Sequence, residues 1–199
     1  ILGLLKQKAT MMERYHAGGV VGYIITAMLA LGLLIGVYKV LTLSLIGGKI
    51  RAQLKNPGSP SENNPLGRIL KVYQNNKNTD AENLELKLDE AILKELPSIE
   101  AGINIIKIFS AIAPLLGLLG TVLGMIATFQ SIQLFGTGDP KLMAGGISMA
   151  LITTVQGLVA ALPLMLMHAV VVARSKSIVQ VLEEQSAGII AAHAEKEKA

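Results

Sequence analysis

The sequence predicts an all-α integral membrane protein with three transmembrane helices. Charged residues make up only 16% of the 199 residues, compared with about 25% in a typical soluble domain. The charges leave three long gaps, of 24 residues between Arg14 and Lys39, 31 between Lys107 and Asp139, and 32 between Lys141 and Arg174. Because a helix crosses the hydrocarbon core with roughly 20 residues, each gap is long enough for one membrane span.

The second and third gaps are longer than one span requires, since 31 and 32 residues of helix extend over about 50 Å. We therefore expect these helices to tilt or to continue past the membrane surface. The apolar stretch from Gly18 to Ile46 is too long for the core of a cleaved signal peptide. Seven segments follow from these boundaries: an amphipathic periplasmic-side helix (1–17), transmembrane helix one (18–47), a cytoplasmic helical region (48–107), transmembrane helix two (108–135), a periplasmic hairpin (136–141), transmembrane helix three (142–173) and a cytoplasmic C-terminal helix (174–199).

The distribution of basic residues predicts the orientation of the chain. Nine Lys and Arg residues lie between Lys49 and Lys107 and four follow Val172, whereas three precede Ala17 and one lies in the hairpin. By the positive-inside rule, the loop between helices one and two and the C-terminus face the cytoplasm. The N-terminus and the hairpin then face the periplasm, and Lys39 can extend its side chain to the inner interface.

Several kinds of chemistry are excluded by the sequence. The chain contains no cysteine, which excludes disulfides and thiolate metal sites. The three histidines, His16, His168 and His193, lie in separate regions, so no metal site is expected. Ser148 and His168 are twenty residues apart on one predicted helix, about 30 Å, and cannot form a catalytic dyad within one subunit. We expect neither an enzyme nor a cofactor, and the net charge of +4 is read as membrane orientation rather than nucleic-acid binding.

The cytoplasmic region has helical signals of its own. Apolar residues recur at helical spacing after the turn residues Pro57 to Pro65, namely Leu66, Ile69, Leu70 and Tyr73. Thr79 with Glu82 is a capping-box pattern, and the helix that follows is predicted to end at Leu96, ahead of Pro97. We expect Ser98 to cap the next helix, and Asp139 to cap helix three with Pro140 at its first position.

Small and polar residues form a stripe on each of the two long spans. On helix two they are spaced alternately by four and three residues, which keeps them on one side: Ser110, Pro114, Gly117, Thr121, Gly124, Thr128 and Ser131. On helix three Ala150, Thr154, Gly157 and Ala161 repeat the spacing. Such stripes face protein or a water-filled lumen rather than lipid. The predicted pore-lining residues are Thr121, Thr154, Thr128, Thr153, Gln156 and Met149, and the predicted helix-packing residues are Gly117, Gly120, Gly124 and Gly157. The alternative is that the threonines bond only to their own helices.

These two stripes lie in runs that closely resemble the MotA/TolQ/ExbB proton-channel family. The runs are APLLGLLGTVLGMIATF at 113–129 and AGGISMALITTVQGLVAALP at 144–163. The hairpin LFGTGDPK at 134–141 and the cytoplasmic LELKLDEAIL at 84–93 look most like the ExbB-type branch called TtpC. The family's pore threonines map onto Thr121 and Thr154, and Met149 stands where many ExbB proteins have Glu.

The resemblance implies a homopentamer that encloses the transmembrane helices of an ExbD-like partner in the bacterial inner membrane. Proton flow would then drive a TonB-like protein and thereby the outer-membrane uptake of iron complexes. Membrane lipid is the other expected partner. A TolQ-like subunit for envelope maintenance is the nearest alternative, and a non-conducting membrane scaffold is the alternative from another class. A MotA-like stator is disfavoured because four membrane helices would be expected.

Overall fold

The structure is a computed structural model that describes residues 11–199, and it contains helices and no strands over that range. The elements are α1 (Met11–Ala17), α2 (Gly19–Lys55), α3 (Pro65–Asn75), α4 (Ala81–Glu100), α5 (Ile103–Phe135), a 3₁₀ turn (Gly136–Gly138) and α6 (Pro140–Lys198). The amphipathic helix expected over residues 1–17 lies partly outside the described residues, and its last seven residues form α1. The predicted all-α class is confirmed.

Within residues 11–199, three helices are long and apolar enough to cross a membrane by their length and composition. They are α2, α5 with the 3₁₀ turn that follows it, and α6, as the three charge-free gaps predict. Many of their large apolar side chains are exposed on the single chain, Leu34 and Leu166 among them. Because soluble monomers rarely expose contiguous apolar patches of this kind, these faces indicate contact with lipid or with protein in the membrane.

The described chain divides into two compact units, and the first combines the chain up to Ile35 with Ile105–His168. Its core is a cluster of Ile25 from α2, Ala113 from α5, and Ala160 and Ala161 from α6. Alanine side chains at this point allow the helix backbones to approach closely, which is how helices pack when lipid supplies no hydrophobic driving force. This unit carries both predicted stripes.

The junction of α1 and α2 in the first unit turns at Gly19, whose φ of +61° is open to glycine at little cost. The turn brings aromatic residues of α1 beside α2. The Tyr15 hydroxyl donates to Thr26 Oγ1 at 3.0 Å, and His16 Nδ1 lies 2.6 Å from the Tyr23 hydroxyl. These bonds hold α1 against α2 rather than leaving it as a free extension.

The second unit consists of Gly36–Asn104 and Ala169–Ala199. The apolar residues that the spacing selects on α3 and α4 are buried, with Leu66, Ile69, Leu84 and Leu88 each at most 1% exposed. Arg68 Nε donates to Glu95 Oε1 at 2.7 Å, which joins α3 to α4. The hydrogen bond to Glu95 is the main reason that the pKa of Arg68 is raised.

The predicted capping box at the start of α4 is wrong by one residue. Asp80, not Thr79, is the N-cap, and its carboxylate accepts the main-chain N–H of Asn83 at 3.1 Å. Aspartate ranks above threonine as an N-cap, so the helix starts at Ala81 and Glu82 falls at its second position, one residue short of the place that a capping box needs. The cap at Asp139 is confirmed, because its carboxylate accepts the Lys141 N–H at 3.0 Å and α6 begins at Pro140.

The predicted end of α4 at Leu96 is also wrong, since the helix continues through Pro97 to Glu100. The chain turns instead at Gly102, where φ is +82°, and α5 starts at Ile103 without a cap from Ser98. Lys39 of α2 supports this longer helix. Its Nζ donates to the carbonyls of Ser98 at 3.3 Å and Ile99 at 3.0 Å, which are among the carbonyls that a helix C-terminus leaves without partners.

Lys39 is therefore placed differently from the sequence expectation. Snorkelling to the interface predicts an ammonium group in contact with water, whereas Lys39 is only 5% exposed and bonds to protein carbonyls. The predicted continuity between helix three and the C-terminal segment is confirmed, because α6 is a single helix of 59 residues.

Candidate functional site

The candidate site lies where α5 and α6 approach each other at glycines, within the first unit. A Cβ atom built on Gly157 would lie 2.6 Å from the Ala113 carbonyl oxygen, and one on Gly117 would lie 2.8 Å from the Thr153 carbonyl oxygen. Gly124 faces Ala150 with the same closeness, and Gly120 faces the Thr153 side chain. All four glycines predicted to pack helices thus lie at the α5–α6 contact, where any side chain would force the helices apart.

Thr121 of α5 and Thr154 of α6 lie opposite each other at this contact, and their hydroxyls are hydrogen-bonded to each other. The Thr121 hydroxyl also has the Ala150 carbonyl at 3.0 Å and the Gly117 carbonyl at 3.2 Å as acceptors. The same two carbonyls lie 3.5 and 3.4 Å from Thr154 Oγ1. Two hydroxyl protons are therefore shared among four oxygens.

This cluster can relay a proton but cannot store one. A hydroxyl both donates and accepts, so two adjacent hydroxyls with spare acceptors can pass a proton by exchanging bonds. Thr121 and Thr154 are each half-buried in the single chain, so one side of the pair stays accessible to a further molecule. The pair needs an external group that binds and releases the proton.

Thr128 and Thr153 are more deeply placed than the central pair, at 3% and 1% exposed. The Thr128 hydroxyl donates to the Gly124 carbonyl at 2.9 Å, and the Thr153 hydroxyl donates to the Ala150 carbonyl at 2.8 Å. Each hydroxyl thus satisfies its own helix, a common arrangement for threonine in membrane helices.

Gln156 and Met149 lie on another side of α6, toward the start of α2. Gln156 Nε2 donates to the Tyr15 carbonyl at 3.1 Å. Its Oε1 is buried without a hydrogen-bond partner and fills the space that a side chain at Gly18 or Gly22 would need. The Met149 sulfur approaches Gly19. The six predicted pore-lining residues therefore fall into two groups within one chain. The four threonines lie at the α5–α6 contact, and Gln156 and Met149 lie where α6 meets the start of α2.

The charge-free stretches of α5 and α6 contain one histidine, His168. It is half-buried and fourteen residues beyond Thr154, about 21 Å along the helix. The proton-binding group that the threonine pair requires is thus not supplied by these stretches of the same chain.

Two contacts, one in each unit, are not foreseeable from the sequence pattern. The pattern does not indicate that the Gln156 side chain reaches the Tyr15 carbonyl, 141 residues away, or that Lys39 caps α4. The glycines at Gly18 and Gly22, four residues apart, were the available signal for a close approach at the start of α2.

Over residues 11–199 the chain is helical, with three candidate membrane spans, two of which pack through glycines around a hydroxyl pair. This is the architecture of a helical membrane protein. A family comparison agrees, because the model of the MotA/TolQ/ExbB proton channel family matches residues 61–184. The chain belongs to this family.

Proteins named for ExbB are among its relatives. A protein described as an ExbB homolog of biopolymer transport in Methanothermobacter thermautotrophicus is 28% identical over 184 residues, 83% of this chain and 64% of the relative. A protein described as ExbB-like in Synechocystis is 34% identical over 110 residues, 54% of this chain and 43% of the relative. Biopolymer transport protein exbB1 of Vibrio cholerae is 41% identical over 64 residues, 32% of this chain and 28% of the relative. The chain spans less than two thirds of the length of each of these three.

Proposed function

We propose that the chain is the shell subunit of a pentameric, proton-driven motor of the ExbB–ExbD type in the bacterial inner membrane. Its task is to convert proton flow into work on a TonB-like protein that energises outer-membrane transport. It carries out no hydrolytic chemistry. The observation that carries this proposal is the hydroxyl pair of Thr121 and Thr154 near the middle of the charge-free stretches of α5 and α6.

The missing proton-binding group indicates a partner. The charge-free stretches of α5 and α6 offer no carboxylate, and Met149 occupies the place where many ExbB proteins have Glu. An ExbD-like subunit inside the pore would supply an aspartate. A carboxylate in the membrane is costly unless it faces polar groups, and the hydroxyls of Thr121 and Thr154, which can donate hydrogen bonds, are such groups.

The orientation follows from the basic residues. The short 3₁₀ turn between α5 and α6 and the start of α2 lie on the periplasmic side, and the regions 48–107 and 174–199 lie in the cytoplasm. The excess of Lys and Arg between Lys49 and Lys107 supports this direction through the positive-inside rule.

A liposome assay with a pH-sensitive dye inside the vesicles tests the proposed function. Three preparations are compared under an imposed membrane potential: this chain alone, the complex with its ExbD-like partner, and the complex with the partner's membrane Asp changed to Asn. We expect flux only in the unmodified complex. Flux by the chain alone equal to that of the complex, or full flux in the Asn variant, would overturn the division of labour.

The same assay separates the motor from a non-conducting scaffold, which gives no flux in any preparation. A TolQ-like role is distinguished by the genes beside this one, since the ExbB-type motor is expected beside ExbD-like and TonB-like genes, and the envelope-maintenance motor beside Tol genes.

A further inference from the structure

An apolar cavity of about 760 Å³ lies in the first unit between α1 and the first half of α6. Its walls on α6 are Ala144, Ile147, Leu151 and Val155, and α1 contributes Met11. Small-molecule sites have volumes of about 300–1,000 Å³ and apolar walls with a few polar groups. The cavity is of that size and character, and it is separate from the Thr121 and Thr154 pair.

The polar residues of the cavity lie on both helices: Ser148 and Gln156 on α6, and the one charged residue, Arg14, on α1 with Tyr15. Arg14 is exposed. No ion pair of Arg14 is found within residues 11–199. A guanidinium beside an apolar cavity matches an amphiphile with an apolar tail and an anionic head, since arginine binds phosphate through two parallel hydrogen bonds.

We propose that this cavity binds a phospholipid of the outer leaflet, with one acyl chain along α6 and the phosphate on Arg14. The length of the cavity wall along α6 supports this occupant. Ala144 and Val155 are eleven residues apart, about 17 Å along a helix, and one leaflet contributes about half of a 30 Å hydrocarbon core. Water is an unsuitable occupant because a cavity with apolar walls offers it too few polar partners.

The inference depends on the membrane span and orientation of α6 in the proposed function, but not on proton flow. Lipid binding is measured in the assembled complex without any ion gradient. A complex that conducts no protons can still bind the lipid, and a conducting complex can lack it, so the two proposals fail independently.

Photolabelling tests the proposal without altering the cavity. The complex is reconstituted with a trace of phosphatidylglycerol that carries a diazirine in one acyl chain, illuminated, digested and analysed by tandem mass spectrometry. We expect labelling of the 144–155 segment well above that of the exposed apolar face of α2 around Leu34 and Leu41, and we expect unlabelled phosphatidylglycerol to compete. Arg14→Gln should lower the cavity labelling about fivefold, as expected for a contribution of about 1 kcal/mol from one basic residue at a membrane surface.

Lys141→Gln is the matched control, because it removes another cation of the same membrane side that does not line the cavity. Ala144→Phe fills the cavity and should abolish the excess labelling whatever the head group. A labelled diacylglycerol without phosphate should label poorly in the wild-type chain.

Several outcomes would overturn the proposal. Labelling of 144–155 no higher than that of the α2 face means that a second copy of the chain or another protein covers the cavity. A rise in labelling when residues 1–10 are deleted means that this segment fills it. Equal labelling by the diacylglycerol, or equal losses of labelling in Arg14→Gln and Lys141→Gln, would show that Arg14 does not bind a lipid phosphate. Native mass spectrometry of each variant verifies that the complex is still assembled.

Discussion

At the scale of single residues, the hydroxyl pair of Thr121 and Thr154 is the feature most open to test. Thr121→Val keeps nearly the same volume but removes the hydroxyl. We expect proton flux of the complex to fall at least about tenfold, in the range of losses seen when a positioned proton-transfer group is removed, and TonB-dependent growth on scarce iron to fall with it. Thr121→Ser, which keeps the hydroxyl, should retain most of the flux in the liposome assay.

Thr42→Val is the control for this substitution. The Thr42 hydroxyl only donates to the Tyr38 carbonyl of its own helix at 2.8 Å, so its loss should leave the flux unchanged. If Thr121→Val conducts as well as Thr42→Val, the Thr121 hydroxyl serves helix packing alone.

Residue placement was predictable from the sequence only along one helix. The spacing places Thr121 on the same side of its helix as Gly117 and Gly124, and these residues do lie together at the α6 contact. Residue spacing does not indicate which atoms of another element a side chain contacts, so the partners of Gln156 and Lys39 were not predictable. Both side chains reach main-chain carbonyls, and carbonyls leave no signal in a residue pattern because every residue has one.

At the scale of elements, the closeness of α5 and α6 makes a prediction about glycine. Gly157→Ala places a methyl group 2.6 Å from the Ala113 carbonyl oxygen and 3.0 Å from Gly117 Cα, both main-chain atoms. Overpacking of this kind costs about 1–3 kcal/mol, so we expect a lower thermal unfolding temperature in detergent. Gly145→Ala on the same helix meets nothing within 4 Å and should be neutral or slightly stabilising. Equal melting temperatures for the two variants would contradict the close packing at Gly157.

The start of α4 makes a prediction about pH. The side-chain amide of Asn83 and then its main-chain N–H donate to Asp80 and lower the pKa of that carboxyl. A lowered pKa in the folded state means that the stabilisation is complete above the ordinary aspartate pKa and is lost as the pH falls through the lowered value. The hydrogen-exchange protection factor of the Asn83 amide should therefore be constant at neutral pH and should fall as the pH drops through the lowered pKa of Asp80.

Two substitutions of Asp80 separate charge from capping. Asp80→Ala should lose protection of the Asn83 amide at neutral pH, because alanine cannot accept the hydrogen bond. Asparagine is an equally good N-cap without a titrating group. In Asp80→Asn the protection of the Asn83 amide should therefore stay constant through the acid range. An unchanged Asn83 protection factor in Asp80→Ala would show that the cap contributes nothing.

Helix types were predictable, but both ends of α4 and the start of α5 were not. Apolar periodicity places α3 and α4 correctly, because burial of Leu66, Leu84 and Leu88 depends on the pattern itself. Pro97 was taken as a stop signal, yet α4 continues because Lys39 binds its last carbonyls and Gly102 provides the turn. A local stop signal was thus overridden by a contact from a distant part of the chain.

At the scale of the whole molecule, exposed apolar faces and close-packed glycines lead to a prediction of assembly. Native mass spectrometry of the chain in mild detergent and in nanodiscs should find five copies, as expected for an ExbB-type shell. Leu34 and Leu166 remain exposed on one chain and are available to lipid or to neighbouring copies. A monomer or dimer in both environments would exclude the pentamer.

The class of the whole molecule was predictable because the cost of charge in a membrane leaves its mark on composition. The three charge-free gaps identify the same helices that are long and apolar enough to span. The division of these helices between two compact units was not predictable, since α2 and α6 each contribute to both and no sequence signal marks the division.

The packing of Gln156 against two glycines couples the evolution of three positions, 18, 22 and 156. A side chain at Gly18 or Gly22 would displace the end of the Gln156 side chain and so disturb its hydrogen bond to the Tyr15 carbonyl, whereas a shorter side chain at position 156 would leave room for it. A growth defect caused by Gly22→Ala should therefore be relieved by Gln156→Ala, each change being harmful alone and less harmful together. Selection for revertants of Gly22→Ala should recover small residues at position 156. In related sequences, a residue larger than glycine at position 22 should occur only together with a side chain shorter than glutamine at position 156.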